Sequence, residues 1–185
     1  MIGWIILAVV ILIVLFIIGM YNSLVTLKKR VENSWSQIDV QLQRRFDLIP
    51  NLVETVKAYM NHEEETFTKI SEIRTSWANA SSISEKATLD NQLTNSLSKL
   101  MAVSESYPDL KANQNFSELQ EELRNTENKI SFSRQFYNDS VTMYNTKLDL
   151  FPSNIIANIF NFKSSELFEV EDAQARKNVK VDFNK

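Results

Sequence analysis

Trp35-Ser36-Gln37-Ile38-Asp39-Val40-Gln41-Leu42-Gln43-Arg44-Arg45-Phe46-Asp47-Leu48-Ile49-Pro50-Asn51-Leu52-Val53 is the stretch on which the fold turns. Trp35, Ile38, Leu42 and Ile49 fall three, four and seven residues apart, which places them on one stripe of a helix. Gln37, Gln41, Arg44 and Arg45 point away from that stripe. Pro50 then removes a backbone donor and crowds the carbonyl four residues back. The helix therefore either kinks there or ends and restarts with Pro50 in the first turn of the next one. Leu52, Val53, Val56 and Met60 resume the apolar stripe at once.

Around this stretch the residues carry a resemblance. Tyr21-Asn22-Ser23-Leu24-Val25, Val31, Trp35, Ile38-Asp39-Val40-Gln41-Leu42, Arg44-Arg45, Asp47-Leu48-Ile49-Pro50-Asn51-Leu52-Val53, Val56-Lys57 and His62-Glu63 resemble the LemA family of bacterial proteins. A second set, Tyr144-Asn145 and Phe151-Pro152-Ser153-Asn154-Ile155-Ile156-Ala157, extends the likeness over nearly the whole chain. The resemblance implies a single-pass membrane protein with an antiparallel helical bundle. It implies no settled activity, and it transfers no catalytic or binding residue.

The composition points the same way. Of 185 residues, two are glycine and three proline, which leaves few turns and argues for long helices over a many-stranded fold. No cysteine is present, which excludes disulfides, thiolate metal sites and cysteine nucleophiles. The net charge of −3, without a basic run interleaved with aromatics, argues against a nucleic-acid surface.

Ile2 to Met20 carry no charged or strongly polar side chain, and nineteen such residues at about 1.5 Å each match the hydrocarbon thickness of a bilayer. The run is too long for a signal-peptide core, has no basic residues before it and is followed by no small-x-small cleavage site, so it reads as a transmembrane helix. Trp4 and Tyr21 sit at its two ends, where amphipathic rings favour the membrane interface. Lys28-Lys29-Arg30 is the basic cluster beside the span, and the positive-inside rule places the helical bundle in the cytoplasm of a bacterial cell.

Beyond the span the apolar spacing predicts helices ending near Asp47 and, after Pro50, near Ala80. Asn79 to Ser84 reads as a turn, and Ser82 with Glu85 has capping-box spacing that opens a third helix carrying Leu89, Leu93, Leu97 and Leu100. Tyr107-Pro108 closes it. A fourth helix from about Asn115 turns Phe116, Leu119, Leu123, Ile130, Tyr137, Tyr144 and Leu148 inward, until Phe151-Pro152 stops it. The expected fold is all-α: a transmembrane anchor over 1–21, continuous with an antiparallel up-down-up-down four-helix bundle over 22–151. A C-terminal tail over 152–185 adds a short apolar helix and an extended segment. That tail places Ile155, Ile156, Ile159, Phe160 and Phe162 close together, then the acids Glu166, Glu169, Glu171 and Asp172. Val179-Lys180-Val181-Asp182-Phe183 then alternates like a strand.

Chemistry is sparse. His62-Glu63-Glu64-Glu65 suggests a metal site, but the di-iron bundle pattern needs Glu-x-x-His from two helices; Tyr59 stands where the glutamate belongs and the chain has one histidine. Asn61 as a cap, with glutamates favouring a helix N-terminus, is the simpler reading. Arg44 and Asp47, three apart, suggest an exposed ion pair. Phe132, Phe136, Tyr137, Tyr144 and Phe151 read as bundle core rather than a cofactor box. Neither a phosphate loop nor a nucleophile with its base is recognisable. The expectation is a non-enzymatic scaffold or adaptor without cofactor or small-molecule substrate. Its partners would be the lipid bilayer, other copies of itself and other membrane proteins. Self-contact is expected at Asp47, Leu48, Ile49, Pro50 and Asn51, or at Ile155, Ile156, Ile159 and Phe160. The alternative is a lipid-acting module in which Ile155 to Phe162 lies in the membrane interface and alters membrane organisation.

Overall fold

The computed structural model describes residues 1–60 and 64–168. Among these the chain is helical and contains no strand. In order come α1 (Ile2–Lys57), α2 (Glu64–Asn79), α3 (Ile83–Ser104), α4 (Pro108–Lys111), α5 (Gln114–Asp149) and α6 (Ser153–Ile159). The strand-like Val179–Phe183 and the acids Glu169, Glu171 and Asp172 lie outside the described residues, as do Asn61, His62 and Glu63. Two compact units form, one from residues 1–50 with 118–167, the other from 51–117 with Phe168.

The first unit is a pair of long helices. As α1 advances from Arg30 and Trp35 to Arg44, its neighbours on α5 retreat from Phe136 and Tyr137 to Glu122, so the two run antiparallel. Leu24, Val31, Ile38 and Arg45 are buried seven residues apart on α1, and Leu123, Ile130, Tyr137 and Tyr144 likewise on α5. A seven-residue repeat keeps one seam of each helix facing the other along its length. Each large aliphatic side chain buried there contributes about 1.5–3 kcal/mol. Trp35 meets Tyr137 edge-on, with ring centroids 5.7 Å apart.

Pro50 neither ends α1 nor restarts it: the helix runs through the proline to Lys57, and the expected ending near Asp47 is corrected. An internal proline costs about 3 kcal/mol through the missing donor and the ring's clash with the carbonyl of Phe46. Phe46, Ile49, Leu52 and Val56, all at most 2% exposed, keep the apolar stripe in register across it, and their burial outweighs that cost. The helix ends two turns later, where the amides of Tyr59 and Met60 both donate to the Val56 carbonyl.

The second unit holds the last turns of α1, the α2–α3 hairpin, α4 and the start of α5. Phe67, Ile70, Ile73 and Trp77 of α2 and Ala87, Leu93, Leu97 and Leu100 of α3 are buried. The capping box is formed: Ser82 accepts from the Glu85 amide while the Glu85 carboxylate accepts from the amides of Ser81 and Ser82. Those bonds hold the Glu85 carboxyl below its usual range. Pro108 opens α4 after α3 has stopped at Ser104, and the side-chain oxygen of Asn113 caps α5 by accepting from the Phe116 amide.

Candidate functional site

The C-terminal corner of the first unit is built from the second motif of the sequence. The Ser153 hydroxyl lies 2.6 and 2.9 Å from the carbonyl oxygens of Lys147 and Leu150, tying down the end of α5. Ile156 and Ala157 of α6 bury against Leu24 of α1, with Ile17, Met20, Leu148 and Phe162 packed around them. Asn161 then adopts φ 55°, the amide of Asn161 donates to Asn158 and that of Phe162 to Ala157. This is a Schellman ending with asparagine in its left-handed position, and Phe162 supplies the apolar contact that accompanies it. It turns the chain back along α5. There the Asn145 amide grips the Ser165 backbone with two bonds of 2.9 Å, and the Tyr137 hydroxyl donates to the Glu166 carbonyl at 2.7 Å. Burial pushes the Tyr137 phenol up to about 12, with the Glu166 charge adding to it.

Around this corner most outward side chains are apolar, with Asn158 and Asn161 as the polar exceptions. Leu150, Phe151, Ile155, Ile159 and Phe160 are between 48% and 79% exposed. Tyr21 packs against Phe160 and Phe162, with centroids 4.8 and 5.7 Å away. The tail's aromatics therefore rest on the last residue of the predicted span. Trp4 at the other end is exposed. The most apolar window of α1 is long enough to cross a membrane, and none of its residues is fully buried by the other described residues.

A second apolar surface lies further along the same helix pair. Val40 of α1 and Phe132, Phe136 and Met143 of α5 are all exposed, Phe132 at 75%. Helical spacing puts the three α5 residues on one face. Val40 and Phe132 line an open groove of about 520 Å³ with Ser36, Gln37, Gln41, Lys129 and Ser133, and Arg30 stacks on Phe136 at 5.2 Å. The expectation that Phe132, Phe136 and Phe151 are core is thereby corrected; only Tyr137 and Tyr144 of that set are buried. The seven-residue phase that takes in Leu123, Ile130, Tyr137 and Tyr144 leaves Phe132 and Phe136 on another side, and spacing alone could have shown it.

The arginine pair also divides differently. Arg44 reaches across to Glu122 on α5, and Asp47 accepts from Gln43 at 2.9 Å, so the expected Arg44–Asp47 pair is not formed. Arg45, expected outward, is 3% exposed and meets Glu127 at 2.6 Å. It lies seven residues from both Ile38 and Leu52, a core phase of the repeat, and that was the signal available. Asp90, a buried carboxylate in α3, carried the same signal, three residues before Leu93 and seven before Leu97.

Of the expected self-contact residues, Ile49 and Ile156 are interior, Asp47 and Asn51 are exposed polar groups, and Leu48 and Pro50 are half-buried. Ile155, Ile159 and Phe160 remain on the surface. Glu64 and Glu65 occupy the first turn of α2, where the helix dipole favours them, and no metal-competent cluster of His, Cys, Asp and Glu occurs among the described residues.

The geometry defines a protein whose described residues are helical and without strands, with a long N-terminal helix whose first turns are apolar and exposed and a segment after α6 clipped back onto α5. Residues 34–183 match the LemA family, and the chain belongs to that family. It is 28% identical to the magnetosome protein MamQ 2 of Paramagnetospirillum magneticum over 83% of its own length, and spans 66% of that relative, a little under two thirds. It is 27% identical to protein LemA of Metamycoplasma hominis, again over 83% of its length and over 74% of that relative. The magnetosome protein MamQ of Magnetospirillum gryphiswaldense is similar at 27% identity.

Proposed function

We propose that this protein is a non-enzymatic scaffold of the bacterial cytoplasmic membrane. It is held by its N-terminal helix in a single pass, with the helical units on the cytoplasmic side of Lys28-Lys29-Arg30, and copies associate side by side. The observation that carries this reading is the exposed strip of Val40, Phe132, Phe136 and Met143. Large apolar side chains clustered on a water-facing surface mark interaction sites more often than accidents of packing. Copies threaded through one bilayer share one orientation, so the same strip on two of them can meet about a two-fold axis along the membrane normal. The strip supplies apolar contact where Asp47 to Asn51 would supply mainly polar surface, which favours it as the contact.

The test is the mass of the full-length protein in lipid nanodiscs at rising protein-to-lipid ratio, together with the variant Phe132→Asp. Phe132 is exposed, so the variant should fold as the parent does. A multiple of the chain mass in the parent, reduced to one copy in the variant, is the expected result. One copy for the parent at every ratio refutes self-association.

A further inference from the structure

We infer that the corner between α5 and α6 is a second membrane contact, a collar that lies in the lipid interface where α1 leaves the bilayer. The anchor reading requires only that α1 cross. The collar is a separate claim about residues 150–162, and its occupant is lipid.

Three observations meet at this corner. First, it is continuous with the apolar span: Ile17 and Met20 pack on the Leu24, Ile156 and Ala157 cluster, and Tyr21 is flanked by Phe160 and Phe162. Whatever depth Tyr21 takes, Phe160 takes with it. Second, the surface it offers at that depth suits lipid and not water: Phe151 is 79%, Ile159 68% and Phe160 51% exposed. No charged residue occurs from Leu150 to Phe162, while Asp149 and Lys163 close the segment at either end. Third, the backbone is shaped as a U-turn with this surface at its tip. Ser153 ties the incoming helix, the Asn161 turn reverses the chain, and Asn145 clips the outgoing segment at Ser165. A segment exposed by fraying would carry no such ties at both ends.

The chemistry at the tip matches an interface. Phe and Ile side chains at the boundary between headgroup and acyl chain gain burial, the exposed amides of Asn158 and Asn161 can meet headgroups, and the exposed Lys163 beside them can meet phosphates. An unbroken α1 carries the first unit directly out of the bilayer, and the collar adds a second point that resists tilt and rotation about the α1 axis.

Because the chain has no cysteine, single spin labels can be placed in the otherwise native full-length protein. Labels at Ile155→Cys and Ile159→Cys, both outward-facing, would be compared in phosphatidylcholine/phosphatidylglycerol vesicles with Leu12→Cys as the mid-span reference and Ser81→Cys as the aqueous one. The ratio of collision with oxygen to collision with a water-soluble nickel chelate reports depth. The collar predicts ratios at 155 and 159 several-fold above that at 81 and below that at 12. Ratios equal to that at 81 overturn it. So does spin–spin broadening at 159 that vanishes on dilution with unlabelled protein and leaves a water-like ratio, since a second copy would then be the occupant. A result of one copy per nanodisc would sink the self-association reading and leave this inference standing.

Discussion

Arg45 and Glu127 permit a quantitative test of the helix pairing. The arginine is 3% exposed, whereas the Glu127 side chain keeps 37% of its surface, and their charged atoms lie 2.6 Å apart. Desolvating such a pair costs several kcal/mol and its mutual attraction returns about as much, so its net contribution is close to zero. Removing one side is another matter. Glu127→Gln leaves the arginine charge in the seam opposite a neutral amide, and because water reaches the glutamate end the expected loss is roughly 2–4 kcal/mol, toward the low end for a buried pair. Arg45→Met keeps the stem's apolar volume and frees a carboxylate that can turn to solvent, at a cost below about 1 kcal/mol. The double variant should then resemble Arg45→Met alone, giving a coupling of about 2–4 kcal/mol, the whole of the Glu127→Gln loss.

The assay is thermal or denaturant unfolding of the full-length protein in mild detergent, followed by helical circular dichroism. For a chain of this length 1 kcal/mol moves the midpoint by about 2–4 °C, so Glu127→Gln should fall by roughly 4–16 °C and Arg45→Met by a few degrees. If the two single losses simply add, the arginine is not held by this acid and the α1–α5 pairing at this level of the seam is wrong. A loss under about 0.5 kcal/mol for Glu127→Gln would mean that the arginine is solvated and outside the seam.

Tyr137→Phe removes a hydroxyl that donates to Glu166 and should cost about 1 kcal/mol, whereas Tyr144→Phe removes a shielded hydroxyl without a hydrogen-bond partner among the described residues and should be neutral or mildly stabilising. The Tyr137 pKa is raised in the folded state, so its contribution is whole below about pH 10 and lost as pH rises through about 12. Alkaline unfolding curves of the parent should show that loss and those of Tyr137→Phe should not. Asn145→Ala deletes both bonds to Ser165, worth about 1–2 kcal/mol locally, so tryptic cleavage after Lys163 should quicken roughly 5–30-fold; unchanged cleavage would mean that the clip does not hold the tail. A cysteine at exposed Ser81 should resist an impermeant thiol reagent in intact cells if the units are cytoplasmic, and ready labelling would reverse the proposed topology.

What could be read from the sequence was whatever depends on spacing and local chemistry. The uncharged run from Ile2, the stripe through Leu24, Val31, Ile38 and Leu42, and the Ser82–Glu85 box all state their structure within a few residues. Pro50 misled because a local rule met a tertiary one: the helix endures a lost bond when four flanking side chains are buried in register, and only the packing partner reveals that. Arg45 misled for the opposite reason, since its heptad phase was visible but its charge argued it outward. The exposed faces were the least legible. Whether Ile155 is covered and Ile156 uncovered, or the reverse, depends on how α6 rolls onto Leu24, a long-range choice that an apolar run does not encode.

The two exposed surfaces make opposite demands on solvent, and the membrane reconciles them. In free solution a strip of four apolar side chains is a poor dimer interface, because association must overcome the loss of overall translation and rotation before any contact is repaid. Threading through one bilayer removes most of that freedom in advance, and a collar that also fixes rotation about α1 would remove more, so a small strip can suffice there. The order of dependence follows from this. Charging the collar, as in Ile159→Glu with Phe160→Glu, should weaken association through the distant strip even though no strip residue has changed, whereas Phe132→Asp should leave the depth of the collar untouched. Were collar variants to leave the mass in nanodiscs unaltered while still lifting a label at residue 155 into water, orientation would not be what makes the strip adequate, and the strip would have to bind by its own contacts alone.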